Sequence, residues 1–303
     1  MNFASYGIIN AKKYPQKEFL IECRPSKNMR RVLTWKEFNE QTNRVANYLQ
    51  KELGVRKGDF VVHLQMNSLE WVVTYHAILR VGATAVPLNF RFASADIKFA
   101  ADAVNPKAFI MGDGFIPKVE PIRKEMESVK SYICIGENVA AGMIPYTEVL
   151  AKSSAENVLV DVDEDDAAEL MFTSGTTGAP KPVCQAHKTL YNIAIGNALT
   201  YAEGHETVYL APHPFYHSGS FFLAFPCYLA GGKIVILLEL DKPQYLLDTI
   251  CNEKVNNGWV TVPTMSDSIN AVKRGEIDIS KYDFSHVTGS IVIGAQPVPA
   301  ALF

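Results

Sequence analysis

The sequence has no CxxC pair, no basic run longer than a pair or so, and no apolar core in its opening "MNFASYGIINAKKYPQKEF". Each absence removes a class of function. The five cysteines, Cys23, Cys134, Cys184, Cys227 and Cys251, are odd in number and widely spaced, which fits reduced thiols in a cytoplasmic protein better than a disulfide framework or a zinc site. The 29 basic and 32 acidic residues are interspersed to a formal net charge of −3, leaving no electrostatic footprint for nucleic acid. A secretory leader is not expected. The stretch "FFLAFPCYLAGGKIVILLEL", Phe221 to Leu240, has the length of a bilayer span, but Pro226 and Gly231-Gly232-Lys233 divide it. It reads as buried helix, turn and buried strand, so no integral membrane segment is expected.

What is present is a globular composition: 303 residues, 48% of them hydrophobic, enough for a sizeable core. Thr34 with Glu37 forms a capping box, and the apolar Trp35, Phe38, Val45, Ala46 and Leu49 share one helical face up to Gly54. Asn67 with Glu70 signals a second helix, ending near Gly82. Strands are predicted at "FVVHLQM", "ATAVPL", "AFIMG", "YICIG", "LMF", "TVYLAP", "KIVILL", "WVTVP" and "VTGSIVIG", with helical patterns after most of them, including "DKPQYLLDTICNEKV" and "TMSDSINAVKRG". Short apolar strands alternating with amphipathic helices predict an α/β fold, and nine or so strands suggest two packed, mostly parallel sheets flanked by helices. The acidic "DVDEDDAAEL", Asp161 to Leu170, is a candidate punctuation point and reads equally well as a solvated loop.

The chemistry concentrates in "TSGTTGAPKPVCQAH", Thr173 to His187. Gly175 and Gly178 permit the positive φ values that turn successive N–H groups into one concavity, Thr173, Ser174, Thr176 and Thr177 add hydroxyls, and Lys181 adds a point charge. The loop follows a predicted strand and precedes the helical "KTLYNIAIGNALTY", the place where α/β proteins bind anions. It is not a Walker A loop, because two residues separate Gly178 from Lys181. His213 and His217 do not read as a zinc pair, since Pro214 prevents the helix that would align them. Phe215, Tyr216, Phe221 and Phe222 read as core or as pocket lining with about equal weight.

"TSGTTGAPK" resembles the phosphate-binding signature of the adenylate-forming (AMP-binding) superfamily, which includes acyl-CoA synthetases. "LTWKEFNEQTNRVANYLQKELGVRKGDFV", "ILRVGATAVPLNFRF", "PHPFYHSGS", "VPTM" and "GSIVIGAQPVP" resemble further blocks of that family in the same order. The resemblance implies that the chain is the N-terminal part of the large adenylating domain, without the small C-terminal lid domain. It also implies activation of a fatty or aromatic acid with ATP and Mg²⁺ and transfer to CoA. Thr173, Ser174, Gly175, Thr176, Thr177, Gly178 and Lys181 would surround the ATP phosphates. Gly294, Ala295, Gln296 and Pro297 would lie along the adenine. His217, with Tyr216 and Gly219, would stand beside the reacting carboxylate, and Val262, Pro263 and Thr264 would form the other wall of the acyl pocket. Lys181 and His217 are the catalytic candidates, and the partner is a small-molecule carboxylic acid.

Three features depart from the family pattern. Pro182 stands where glycine usually follows the lysine, removing an N–H. "HPFYHSGSFF" offers no carboxylate for a substrate ammonium, which favours an organic acid over an amino acid. The chain also stops at Phe303, before the family's "YGxTE"-like segment, its ribose-binding aspartate and its distal lysine, so these 303 residues are expected to be inactive alone. The alternatives are a non-catalytic nucleotide- or partner-binding relative and an adenylating enzyme that loads a carrier-protein thiol.

Overall fold

The computed structural model describes residues 1–173, 180–294 and 297. The strands are β1 (Glu18–Arg24), β2 (Met29–Thr34), β3 (Phe60–Leu64), β4 (Thr84–Pro87), β5 (Ala108–Gly112), β6 (Ser131–Ile135), β7 (Ile144–Pro145), β8 (Ala167–Thr173), β9 (Lys181–Ala186), β10 (Val208–Ala211), β11 (Lys233–Leu237), β12 (Asn257–Thr261) and β13 (Ile291–Gly294). The helices are α1 (Ser5–Lys13), α2 (Trp35–Lys51), α3 (Leu69–Arg80), α4 (Ser94–Val104), α5 (Ile116–Val119), α6 (Tyr146–Lys152), α7 (His187–Thr200), α8 (Ser218–Phe221), α9 (Phe225–Ala230), α10 (Pro243–Asn252) and α11 (Val262–Lys273). They divide into two compact units, one built from Met1–Lys13 and Lys36–Asn192, the other from Tyr14–Trp35 and the described residues from Ile193 onward. The acidic Asp161–Leu170 segment lies inside the first unit, where Asp166 pairs with Lys57 at 2.7 Å.

The first unit holds a seven-stranded sheet in the order β7-β6-β5-β3-β4-β8-β9, parallel except for the β8–β9 hairpin. One face packs Val62, Leu64, Val86, Phe109 and Met111 against Ile97, Ala100, Ala101 and Val104 of α4. α3 is buried almost throughout, as expected of a helix that is apolar on most sides. Its N-cap is Ser68 rather than the expected Asn67: the Ser68 Oγ accepts the Trp71 N–H at 3.0 Å. It stops where Gly82 takes φ +72°, a conformation that favours glycine.

The second unit holds a six-stranded sheet in the order β13-β12-β10-β11-β1-β2, parallel except for β1–β2. Ile21, Leu210, Val235, Leu237 and Val260 form a core with Leu246 and Ile250 of α10. Phe19 stacks on Trp35 with ring centroids 3.7 Å apart and Tyr228 beside them. The Phe221–Leu240 stretch is buried helix, turn and strand, with Gly231 at φ +85° closing α9 ahead of β11.

Two strand pairs carry elements absent from the sequence reading. β1 and β2 look too charged to be strands, but Glu18 and Glu22 meet Arg30 and Arg31 across the hairpin at 3.0 and 3.4 Å. β9 contains Pro182, opposite Phe172, and its first four residues are exposed. An edge strand is where a residue without an N–H is accommodated. β12 starts and ends two residues earlier than "WVTVP", because Thr261 caps α11 and Val262 and Pro263 enter that helix.

Inside the first unit, Glu169 of β8 is fully buried, and burial pushes its carboxyl up to about 8, opposed by a hydrogen bond donated by Tyr75. Between the ordinary carboxyl range and about pH 8 the folded chain keeps a proton that the unfolded chain releases, so this group lowers stability as pH rises. Glu169→Gln is expected to gain on the wild type by up to about 1 kcal/mol per pH unit between about pH 5 and pH 8 in urea unfolding; a pH-independent difference would refute the assignment. At the α3 cap, Ser68→Ala should cost about 1 kcal/mol in the same measurement, and no loss would remove the capping role.

Candidate functional site

In the first unit the β8–β9 hairpin presents the predicted anion loop. Thr173 ends β8 and Lys181 begins β9, the two are register partners, and the Thr173 hydroxyl donates to the Lys181 carbonyl at 3.3 Å. Both residues are exposed, so the hydroxyl and the lysine stand at the open end of the hairpin. Ser174, Gly175, Thr176, Thr177 and Gly178 lie outside the described residues. Their two anchoring ends are nonetheless brought together by antiparallel pairing. At the far end of β9, His187 is buried as the first residue of α7 and its Nδ1 accepts the Phe3 N–H at 3.2 Å. Burial lowers the His187 imidazole to about 4, so it is a neutral anchor for the helix that follows the hairpin.

In the second unit, parallel pairing gathers the carboxyl ends of β10, β12 and β13. Thr261 is the register partner of Gly294, and β10 is the neighbour of β12 on its other side. The segment after β10 runs through His213 to His217. His213 is buried, and its Nε2 accepts the Thr261 N–H at 3.0 Å, tying the exit of β10 to the start of α11. Its ring meets Trp259 edge-on at 4.8 Å between centroids, and the Trp259 indole in turn lies against Gly294, where a Cβ would come within 2.9 Å of Nε1. Burial, with a smaller contribution from His217, lowers the His213 imidazole to about 4 and keeps it neutral. The sequence contained His213 as a rejected metal ligand; its structural signal was only its place two residues beyond an apolar strand.

His217 is exposed and caps α8, with Nδ1 accepting the Gly219 N–H at 3.2 Å. That bond leaves the proton on Nε2, so His217 can donate to an anion. Tyr216 is half-buried beside it. Val262, Pro263 and Thr264 are the first turn of α11: Val262 is buried, Pro263 exposed, and the Thr264 hydroxyl pairs with that of Thr261 at 2.9 Å. The predicted acyl-side residues and Gly294 therefore share one end of one sheet. Ala295 and Gln296 lie outside the described residues, and Pro297 is exposed.

The comparisons with known proteins give the family. Residues 9–303 match the family model of the AMP-binding enzymes. The long-chain-fatty-acid–CoA ligase FadD13 of Mycobacterium tuberculosis is 27% identical over 282 residues, covering 92% of this chain and 52% of that protein. The crotonobetaine/carnitine–CoA ligase of Salmonella typhimurium is 32% identical over 213 residues, 68% of this chain and 41% of that protein. The chain thus spans about half the length of these curated relatives. Among solved structures, a long-chain-fatty-acid–CoA ligase (FadD1) of Archaeoglobus fulgidus matches 100% of this chain and 59% of its own at a TM-score of 0.89 and 24% identity, which supports the fold. On its sequence blocks, its two parallel-rich sheets and the match along nearly its whole length, the chain belongs to the AMP-binding enzyme family.

Proposed function

We propose that this chain is the nucleotide- and acid-binding part of an AMP-forming acid–CoA ligase, acting on an uncharged-tailed organic acid, fatty or aromatic. The observation that carries the reading is the hairpin that holds Thr173 and Lys181 together at the two ends of the signature loop. The relatives named above act on a long-chain fatty acid and on crotonobetaine or carnitine, which supports a carboxylic acid as substrate and CoA as acceptor. Residues 1–303 then form the first part of the adenylating domain, completed by further residues of that domain and by a small lid domain. No helix among the described residues is long and apolar enough to cross a membrane. The five cysteines are unpaired, which supports a reducing, cytoplasmic setting.

In this reading a substrate carboxylate attacks the α-phosphorus of ATP, the bond to the β-phosphate oxygen breaks, and pyrophosphate leaves. The CoA thiolate then attacks the acyl carbonyl and AMP departs. Two anions must be brought together, so the protein's task is positioning and charge neutralisation. Lys181 would hold the leaving phosphates, and the Nε2–H of His217 would orient the acid's carboxylate. Hydroxyl and ammonium groups at the hairpin suit phosphate oxygens rather than a metal cage, so Mg²⁺ would be carried mainly by the nucleotide, where it supplies charge neutralisation.

The test is acid-dependent exchange of labelled pyrophosphate into ATP by the full-length protein. Exchange with a fatty or aromatic acid is expected, and none across a broad panel of acids would overturn the adenylation. Product formation that requires CoA separates this reading from loading of a carrier-protein thiol. Lys181→Ala should lower kcat/KM for ATP by roughly 10- to 100-fold, the worth of a charge-assisted hydrogen bond, while the melting temperature stays the same. Unchanged kinetics would remove the phosphate role.

A further inference from the structure

Glu169 is a buried acid that the reaction does not use. Its Oε2 accepts the Tyr75 hydroxyl at 3.0 Å, and its Oε1 has no partner among the described residues. A leucine there would avoid the desolvation cost, so the carboxyl requires an explanation.

Its place in the sheet supplies one. Among the described residues, β4 and β8 are register partners only at Ala85 and Glu169, supported by a bond from the Thr84 hydroxyl to the Ala167 carbonyl at 3.1 Å. Beyond Glu169, Leu170 to Thr173 pair with Cys184 to Lys181, and β9 is the sheet's edge. The β8–β9 register also shifts between Ala167 and Glu169, an irregularity of the kind that re-aims a strand. The hairpin is therefore a lever rooted at Glu169 and packed on the core through Leu170 and Phe172, with Thr173 and Lys181 at its open end.

The lever runs about 14 Å from root to Thr173 at roughly 3.4 Å per residue. A tilt of about 5° at the root then moves the tip by about 1 Å, a displacement that can cost on the order of 100-fold in a positioned reaction. Apolar burial is non-directional, whereas a hydrogen bond has a preferred direction. Tyr75 supplies that direction from α3, where its ring stacks on Trp71 at 5.4 Å and 12°. We infer that Glu169, through its bond to Tyr75, is a positioning residue that sets the pitch of the hairpin carrying the phosphate loop. The catalytic part of this inference rests on the proposed function; the mechanical part does not.

Hydrogen exchange read by mass spectrometry on the full-length protein tests the mechanical part. Glu169→Leu and Tyr75→Phe are expected to speed exchange about tenfold in peptides covering residues 170–173 and 181–186, with β3 and β5 peptides unchanged, while Glu169→Gln exchanges no faster than the wild type. Unchanged hairpin exchange, or an equal rise throughout the sheet, overturns the lever; if Glu169→Leu does not fold, Tyr75→Phe decides. In the full-length protein, Glu169→Leu should raise KM for ATP about tenfold and leave KM for the acid unchanged, with Glu169→Gln restoring the former. Equal changes in both constants, or in neither, overturn the positioning role. A wild type without pyrophosphate exchange overturns the proposed function instead, and the exchange of hairpin amides still decides the lever.

Discussion

Register between parallel strands is the constraint on which the rest of this structure depends. Because β10, β12 and β13 run the same way and pair side by side, the segments that follow them open at one end of one sheet. That single arrangement places the His213–Gly219 loop, the first turn of α11 and Gly294 together, although they are spread over much of the second half of the chain. The packing is tight where it matters: the Trp259 indole leaves room for only a glycine at position 294, and His213 bonds the backbone at the cap of the adjacent helix. Slipping one strand by a residue would reverse the faces of its side chains and separate these groups.

The first unit uses the opposite device. Its phosphate-loop candidate stands on an antiparallel hairpin at the sheet's edge, with Thr173 and Lys181 joined across the opening. Pro182, which looks like a disturbance beside the lysine, lies on an exposed edge strand, where a missing N–H is tolerated. The departure from the family's usual glycine is thus compatible with the strand that carries it.

Both clusters are supported by buried ionisable groups held neutral. His213 and His187 are lowered by burial, and Glu169 is raised by it. Each makes a directional bond to a separate element: His213 to the Thr261 N–H, His187 to the Phe3 N–H, and Glu169 to the Tyr75 hydroxyl. Charged forms would be costly in these positions, and neutral forms serve as hydrogen-bonding pins between strands and helices.

Much of this was legible before any coordinates. Apolar runs with period two or without polar breaks located nine strands, and "TSGTTGAPK", "FYHSG" and "VPTM" marked the segments proposed to carry the chemistry, because local composition records both burial and loop chemistry. The β1–β2 hairpin and β9 were not legible, since Glu22 becomes acceptable in a strand only when Arg31 lies across from it, and Pro182 only at an edge. The cap at Ser68 rather than Asn67 turned on one hydrogen bond. The sequence alone determined which residue types were available for binding an anion and an acid. The tertiary structure decided which of them share an end of a sheet, and which acid and histidines are buried, because register and burial arise from contacts between residues far apart in the chain.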